Sequence, residues 1–414
     1  MKRHLLGAIL TSAGLAAGLV ATAAGPATGA GVKPNVTTTL YVAPATGRST
    51  LPAGCPSAPF SDINAAIAAA TPNDTVVVCP GTYTGYLTIT TSSKVQSTIS
   101  TGVEINKSIA VIGMHGAVIS AAGLDNGVTF YDANGAELKG FTVTGATGEG
   151  ILAVVSTRIE IDDNVVRGND AGTATSGYAE CRSATGSLGN CGYGIHLLSV
   201  TRSDLLNNTV EYNSGGVILT DEYGPARGNT IEGNLVENNG ARSGICLVGV
   251  STMGVNASGA PTPKLGGVYS NTLRDNVVIS NGTSGYPTST GATGYGGGVV
   301  LTTDVKGGAA YDNRVMGNEI VGNGLNGVRV VKQVPLSDVS GDLIANNWIG
   351  TNNVSAAPTS GVLIGRDSAA LSPVAVTVYD NTIAFNYVGI LDNAGPGLTR
   401  SGNHYLKDVV DVEQ

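Results

Sequence analysis

The chain has 414 residues, 60 of them glycine, with 13% charged, 5% aromatic and a formal net charge of −8. So few charges among so much Gly, Asn, Thr, Ser and Val describe a turn-dense all-β chain. The acidic balance makes nucleic acid and anionic membrane surfaces poor partners.

The first thirty residues open with Lys2, Arg3 and His4, continue through an apolar stretch from Leu5 to Val20, and end in small residues. This is the pattern of a secretory signal peptide at 1–30, cleaved after Ala23 or Ala30. The mature protein is therefore expected to be secreted, extracellular and free of a membrane span. Losing Lys2 and Arg3 takes the basic count from 22 to 20 against 30 acids, so its formal charge is 20 − 30 = −10. Residues 31–59 read as a linker and entry segment. Cysteines in an exported chain invite pairing: Cys55 with Cys79 would tie the entry loop to the first strand, and Cys181 with Cys191 would close a surface loop. Cys246 is then left over.

From residue 60 to 414 one domain is expected. SDINAAIAAATPND offers Ser61 as an N-cap, places Ile63, Ala66, Ile67 and Ala70 on one helical face, and stops at Pro72. DTVVVCPGTYTGYLTI then reads as an apolar strand, a Pro-Gly turn and an alternating strand.

Further on, Asn-x-Ile/Val-x-x-Asn recurs as NVVRGN at 164, NTVEYN at 208, NLVENN at 234, NVVISN at 276, NEIVGN at 318, NWIGTN at 347 and NTIAFN at 381. The first asparagines are 44, 26, 42, 42, 29 and 34 residues apart, which is a shorter unit padded by insertions. Each copy is followed by glycine and a β-branched residue. Alternation along a strand makes Ile151, Ile195, Val217, Ile245, Val299, Val328, Val362 and Ile390 one inward column. Ile159 and Ile161 share the face of a further strand. Three short strands per turn of about 22 to 26 residues describe a three-sided solenoid of about ten to twelve turns, capped by the helix at its start. Residues 397–414 are expected to complete the last turn.

The alanine-rich helix, the Asp-Thr-Val strand, the Pro-Gly-Thr-Tyr turn and the Asn-bracketed repeats together resemble the pectate lyase-like superfamily of right-handed parallel β-helix repeat proteins, over roughly residues 60–395. The resemblance implies an all-β, single-stranded right-handed parallel β-helix; strand-crossover handedness agrees. It leaves activity open, since the superfamily includes lyases, hydrolases, epimerases, esterases and noncatalytic members.

Insertions in solenoids build binding faces, and those of this chain flank the glycine–β-branched strands. The residue after each β-branched one should point outward: Leu152, His196, Ile218, Cys246, Val300, Arg329, Leu363. Either this face is a groove, with His196 suited to proton transfer, or the insertions or a second chain cover it and His196 is a hydrogen-bonded structural side chain. Carboxylates and cations recur just past these strands. The catalytic candidates are His196, Asp221, Glu222, Asp304 and Lys332. A hydrolase needs two carboxyl groups in distinct roles; a uronate lyase needs a cation for the sugar carboxylate and a base. Substrate-binding candidates are Tyr193, Tyr223, Tyr295, Arg227 and Arg329. Asp162, Asp163 and Asp170 are the weak candidate metal site, with Ca2+ the possible ion; against it, Asp and Asn favour solenoid corners because they tolerate left-handed backbone. Copper-maturation β-helix proteins share such repeats, but four histidines and four methionines are too few to argue for copper delivery. Two functions remain: an extracellular protein acting on polysaccharide as a lyase or glycoside hydrolase, or a noncatalytic solenoid binding glycan or a protein partner. Tyrosines in and beside the insertions favour saccharide contact.

Overall fold

Short strands stack turn upon turn into three long sheets. The computed structural model describes residues 37–44, 54–56, 59–90, 98–170, 192–240, 242–283, 286–287, 293–294, 296–352 and 359–414. The first sheet has 12 strands, from Thr39–Val42 to Leu398–Ser401; the second 11, from Gly81–Tyr83 to His404–Leu406; the third 12, from Leu87–Thr90 to Val410–Glu413. Each turn contributes one strand to each sheet, and pairing is parallel except between Leu87–Thr90 and Thr98–Ile105. The number of turns and the completion of the last one by residues 398–413 agree with the repeat. The first sheet begins at Thr39, inside the stretch expected as an entry segment.

Many strands of the first two sheets are three residues long with only the middle one inward, as in Thr209–Glu211, where Val210 is buried. All eight residues of the expected inward column lie in one continuous core with Ile159 and Ile161. The glycine before each has a packing reason. A Cβ on Gly216 would stand 2.2 Å from the carbonyl oxygen of Gly244 in the next turn, and one on Gly298 2.6 Å from that of Gly327. The glycines let neighbouring turns approach, and no other residue fits.

The bracketing asparagines form two ladders. Asn164, Asn208, Asn234, Asn276, Asn318, Asn347, Asn381 and Asn403 make one; Asn169, Asn213, Asn239, Asn281, Asn323, Asn352, Asn386 and Asp408 make the other. In the asparagine rungs Oδ1 accepts from the backbone N–H of the rung before and, except at Asn386, from its Nδ2, while Nδ2 also donates to main-chain carbonyls; Asn208 does so to Ile161 and Leu206 at 2.8 Å. The residue before each rung takes the left-handed conformation: Asp163 at φ 55°, Tyr212 at 55°, Asp275 at 57°, Phe385 at 58°. A left-handed residue bends the chain at the corner, and the asparagine satisfies the backbone groups the bend frees. A third ladder, Asn229, Asn271, Asn313 and Asp342, follows the same rule five residues upstream and was not read from the sequence.

At the start, the helix Ile63–Ala69 covers the core with Ile63, Ala66 and Ile67. Its N-cap is Asp62 rather than Ser61: the Asp62 carboxylate accepts from Ala65 N–H at 2.8 Å. Asp62 directly precedes the first helical residue, so its carboxylate reaches the free amide of Ala65 in the first turn. Lys107 closes the other end, donating to the carbonyls of Ile67, Ala68 and Ala70. Cys55 and Cys79 form the expected disulfide; Cys181 and Cys191 lie outside the described residues. No described helix is long and apolar enough to cross a membrane.

Candidate functional site

The outward face of the third sheet changes character along the coil. Leu152, His196, Ile218 and Cys246 are fully buried and Val300 is 3% exposed, although all point away from the core. They belong to two secondary apolar layers, one joining Leu152 to Ile89, Ile99, Val154 and Leu198, the other joining Ile218, Cys246 and Val300 to Tyr193 and Val248. One turn beyond Val300 the cover ends, and Arg329 and, on the turn after, Leu363 are partly exposed.

Within the buried part, His196 sits between two acids. Its Nδ1 lies 3.5 Å from Glu149 Oε1, and its Nε2 is 2.7 Å from Thr220 Oγ1. Strand register explains the meeting: His196 pairs with Ile218, two residues before Thr220, and Leu152, three residues after Glu149, pairs with His196. Thr220 also reaches Glu222, whose carboxyl burial pushes up while His196 and Thr220 hold it back. Desolvation brings His196 down to about 4, with Glu222 opposing, so the imidazole is neutral near pH 7 and carries one ring proton. Glu149 and Thr220 were not among the sequence candidates. Both stood within reach of the alternation: Thr220 is two residues past the outward Ile218, and Glu149 directly precedes the first glycine–β-branched copy.

The remaining catalytic candidates do not join this group. Asp221 is buried and turned into the following insertion, where its carboxylate accepts from the backbone N–H groups of Val250 at 2.7 Å, Ser251 at 2.9 Å and Gly267. Burial raises its pKa and these amides oppose the rise. The Asp304 N–H bonds the Gly249 carbonyl, two turns on from Thr220 by register. Lys332 is a further turn away, buried, held down by desolvation, and donates to Ser372 Oγ at 2.6 Å. The five share one edge of the third sheet, spread over roughly four strand spacings, or about 20 Å.

Of the binding candidates, Tyr193 is buried beneath Arg242, whose guanidinium lies 6.0 Å from its ring centroid. Tyr223 is half-buried, its N–H bonded to Ser199 Oγ. Arg227 pairs with Tyr269, which stacks on Tyr311 at 4.9 Å and 12°; the stack was not foreseen. Tyr295 lies outside the described residues. Asp162 pairs with Lys139 and Asn207, while Asp163 and Asp170 are left-handed corner residues. Among the described residues no group of three or more His, Cys, Asp or Glu is arranged to hold a metal ion.

Where the cover ends, a cleft of about 320 Å3 opens, lined by Arg329, Asn326, Leu363, Arg366, Asp367 and Asn393 among others. Arg366 is committed to the carbonyls of Ala369 and Leu371. Arg329 makes no hydrogen bond or ion pair among the described residues. It is an available planar cation framed by amides, a carboxylate and one leucine.

A family model described as periplasmic copper-binding protein (NosD) matches residues 86–278, less than half of the chain. The described residues do not fit copper, since no ligand group gathers and the buried His196 is bonded to Thr220. No curated protein matches the sequence. Among solved structures, a pectate lyase shares 18% identity at a TM-score of 0.54, over 89% of this chain and 78% of its own. The A-module of a mannuronan C-5 epimerase from Azotobacter vinelandii shares 16% at 0.50, over 86% and 94%. Three parallel sheets around one core, with these neighbours, give this chain the right-handed parallel β-helix fold of the pectate lyase-like proteins.

Proposed function

We propose that this protein is exported and binds a uronate-containing extracellular polysaccharide on the outer face of its third sheet. The observation that carries the reading is Arg329, a cation without a partner among the described residues, in an open cleft flanked by amide side chains and Leu363. A guanidinium fork matches a sugar carboxylate, the amides match hydroxyls, and the leucine matches the apolar face of a pyranose. The two solved neighbours are named for pectate and mannuronan, both uronate polymers. The net negative charge of the chain opposes a polyanion at long range, but beyond about 8 Å that field is screened at physiological salt and the local cleft decides.

Binding without turnover is favoured, because the acid–histidine group that would do the chemistry is sealed: Glu149, His196 and Thr220 are all fully buried. Affinity electrophoresis of the mature protein through gels containing polygalacturonate, alginate or a neutral glucan tests both statements. Retention by an acidic gel is expected, with Arg329→Ala weakening it about tenfold, the loss of one charge-assisted contact. Retention by none of the gels, or retention indifferent to Arg329, would overturn the reading. New reducing ends or unsaturated uronate absorbance would establish catalysis instead.

A further inference from the structure

The sequence contains a single tryptophan, and it is on the surface: Trp348 is 41% exposed. It occupies an outward position on the strand Trp348–Gly350 of the second sheet, the sheet adjoining the one that carries Arg329. The next outward position is Gly350, where a Cβ would come within 3.3 Å of the indole Nε1 and 3.9 Å of Cε2. The ring therefore leans along its own strand over a residue that lacks a side chain, and Gly350 beneath it is buried. A tryptophan standing free on a strand would have no use for that gap.

The surroundings identify the occupant. In register on either side of Trp348 are Glu319, exposed, and Thr382, partly exposed, with the exposed His404 one strand beyond. Ala384, paired with Gly350, is followed at the corner by Phe385, a second exposed ring with Lys407 5.3 Å above it. The disc lies over Gly350, between Val321 and Ala384, and a carboxylate and a hydroxyl stand at its base, about one strand spacing, ~4.8 Å, to each side of the Trp348 backbone; a flat apolar face with polar groups along one edge is the complement of a pyranose. The sugar presents a flat C–H face with hydroxyl groups around its edge.

We infer that Trp348, laid over Gly350, is a saccharide-stacking subsite on the second sheet, separate from the Arg329 cleft, with Glu319 and Thr382 placed to bond the hydroxyls of the stacked sugar. It shares with the proposed function only the class of ligand.

Because Trp348 is the sole tryptophan, its fluorescence reports the site directly. The mature protein is titrated with oligogalacturonate, mannuronan oligosaccharides, cello-, xylo- and galacto-oligosaccharides. At least one should give a saturable change in emission that survives Arg329→Ala. Gly350→Val keeps the tryptophan and suits a strand, but its side chain displaces the ring; it should weaken the response at least about tenfold, as Trp348→Ala should weaken retention of the same sugar on an immobilised column. No saturable change with any probe sinks the subsite, as does a response unaltered by Gly350→Val or abolished by Arg329→Ala. Arg329-dependent retention on acidic gels without a fluorescence response removes the subsite alone and leaves the cleft standing; loss of both removes the saccharide reading.

Discussion

A single carboxyl group shows how closely the corners are specified. Asp342 occupies a rung of the third asparagine ladder, fully buried, accepting from the N–H and Nδ2 of Asn313 through Oδ1. Its Oδ2 has no partner and stands where an asparagine would donate to a carbonyl. Burial raises its pKa well above the ordinary carboxylate value, the Asn313 bonds opposing and Asp338 and Asp312 adding to the rise. The neutral acid mimics asparagine; the anion does not. With the folded pKa raised, stability from this group is present in full below the usual carboxylate range and is lost as pH climbs toward the raised value. Asp342→Asn should therefore leave stability nearly unchanged near pH 3.5 and raise it by about 1–3 kcal/mol at pH 7, measured as denaturation midpoints at both pH values. A gain that is equal at the two would show that ionisation is not the cost.

At the scale of one element, the ladders predict a gradient. Asn276→Ala in the middle of a ladder strips the acceptor from the N–H and Nδ2 of Asn234 and removes the bond to Ile231. One buried donor, the Asn234 N–H, is orphaned while Nδ2 keeps the carbonyls of Leu205 and Glu232, at about 1–3 kcal/mol. Asn403→Ala likewise takes the acceptor from the Asn381 N–H while its Nδ2 keeps the carbonyls of Ile344 and Tyr379, but the last turn is open to solvent and the cost should stay below about 1 kcal/mol. Urea unfolding of both variants decides; equal losses would mean the ladder is not the source of the energy. Both bracketing ladders were legible from spacing up to Asn381 and Asn386, because each of those rungs lies on an asparagine at a fixed distance from an inward Val or Ile; the terminal rungs Asn403 and Asp408 lie outside that pattern. The third was not, because its rungs are diluted by Asp342 and by Ser203 at its head.

For the whole molecule, stability passes from turn to turn and the ends are weakest. The N-terminal end is held by the helix, by Lys107 and by the Cys55–Cys79 disulfide across a separation of 24 residues. Replacing both cysteines by serine should lower stability by about 3 kcal/mol, read from guanidinium midpoints. An unchanged midpoint would show that the entry loop opens independently of the coil.

The sequence by itself determined the architecture. A parallel coil repeats one environment at each turn, so Val210, Val217, Asn208 and Gly216 recur as a linear pattern that needs no long-range knowledge to recognise. It also reached Arg329, an outward position of that pattern. Tertiary structure decided which outward positions meet solvent. Alternation assigns His196 and Arg329 the same direction, yet one is sealed and the other open, because alternation gives a side chain's direction and not what packs over it. Nor could spacing tell that Asp221 turns to grip the amides of Val250, Ser251 and Gly267, or that Glu149 meets His196 across a strand boundary. Such contacts depend on where a loop folds back, and only the packed coil fixes that.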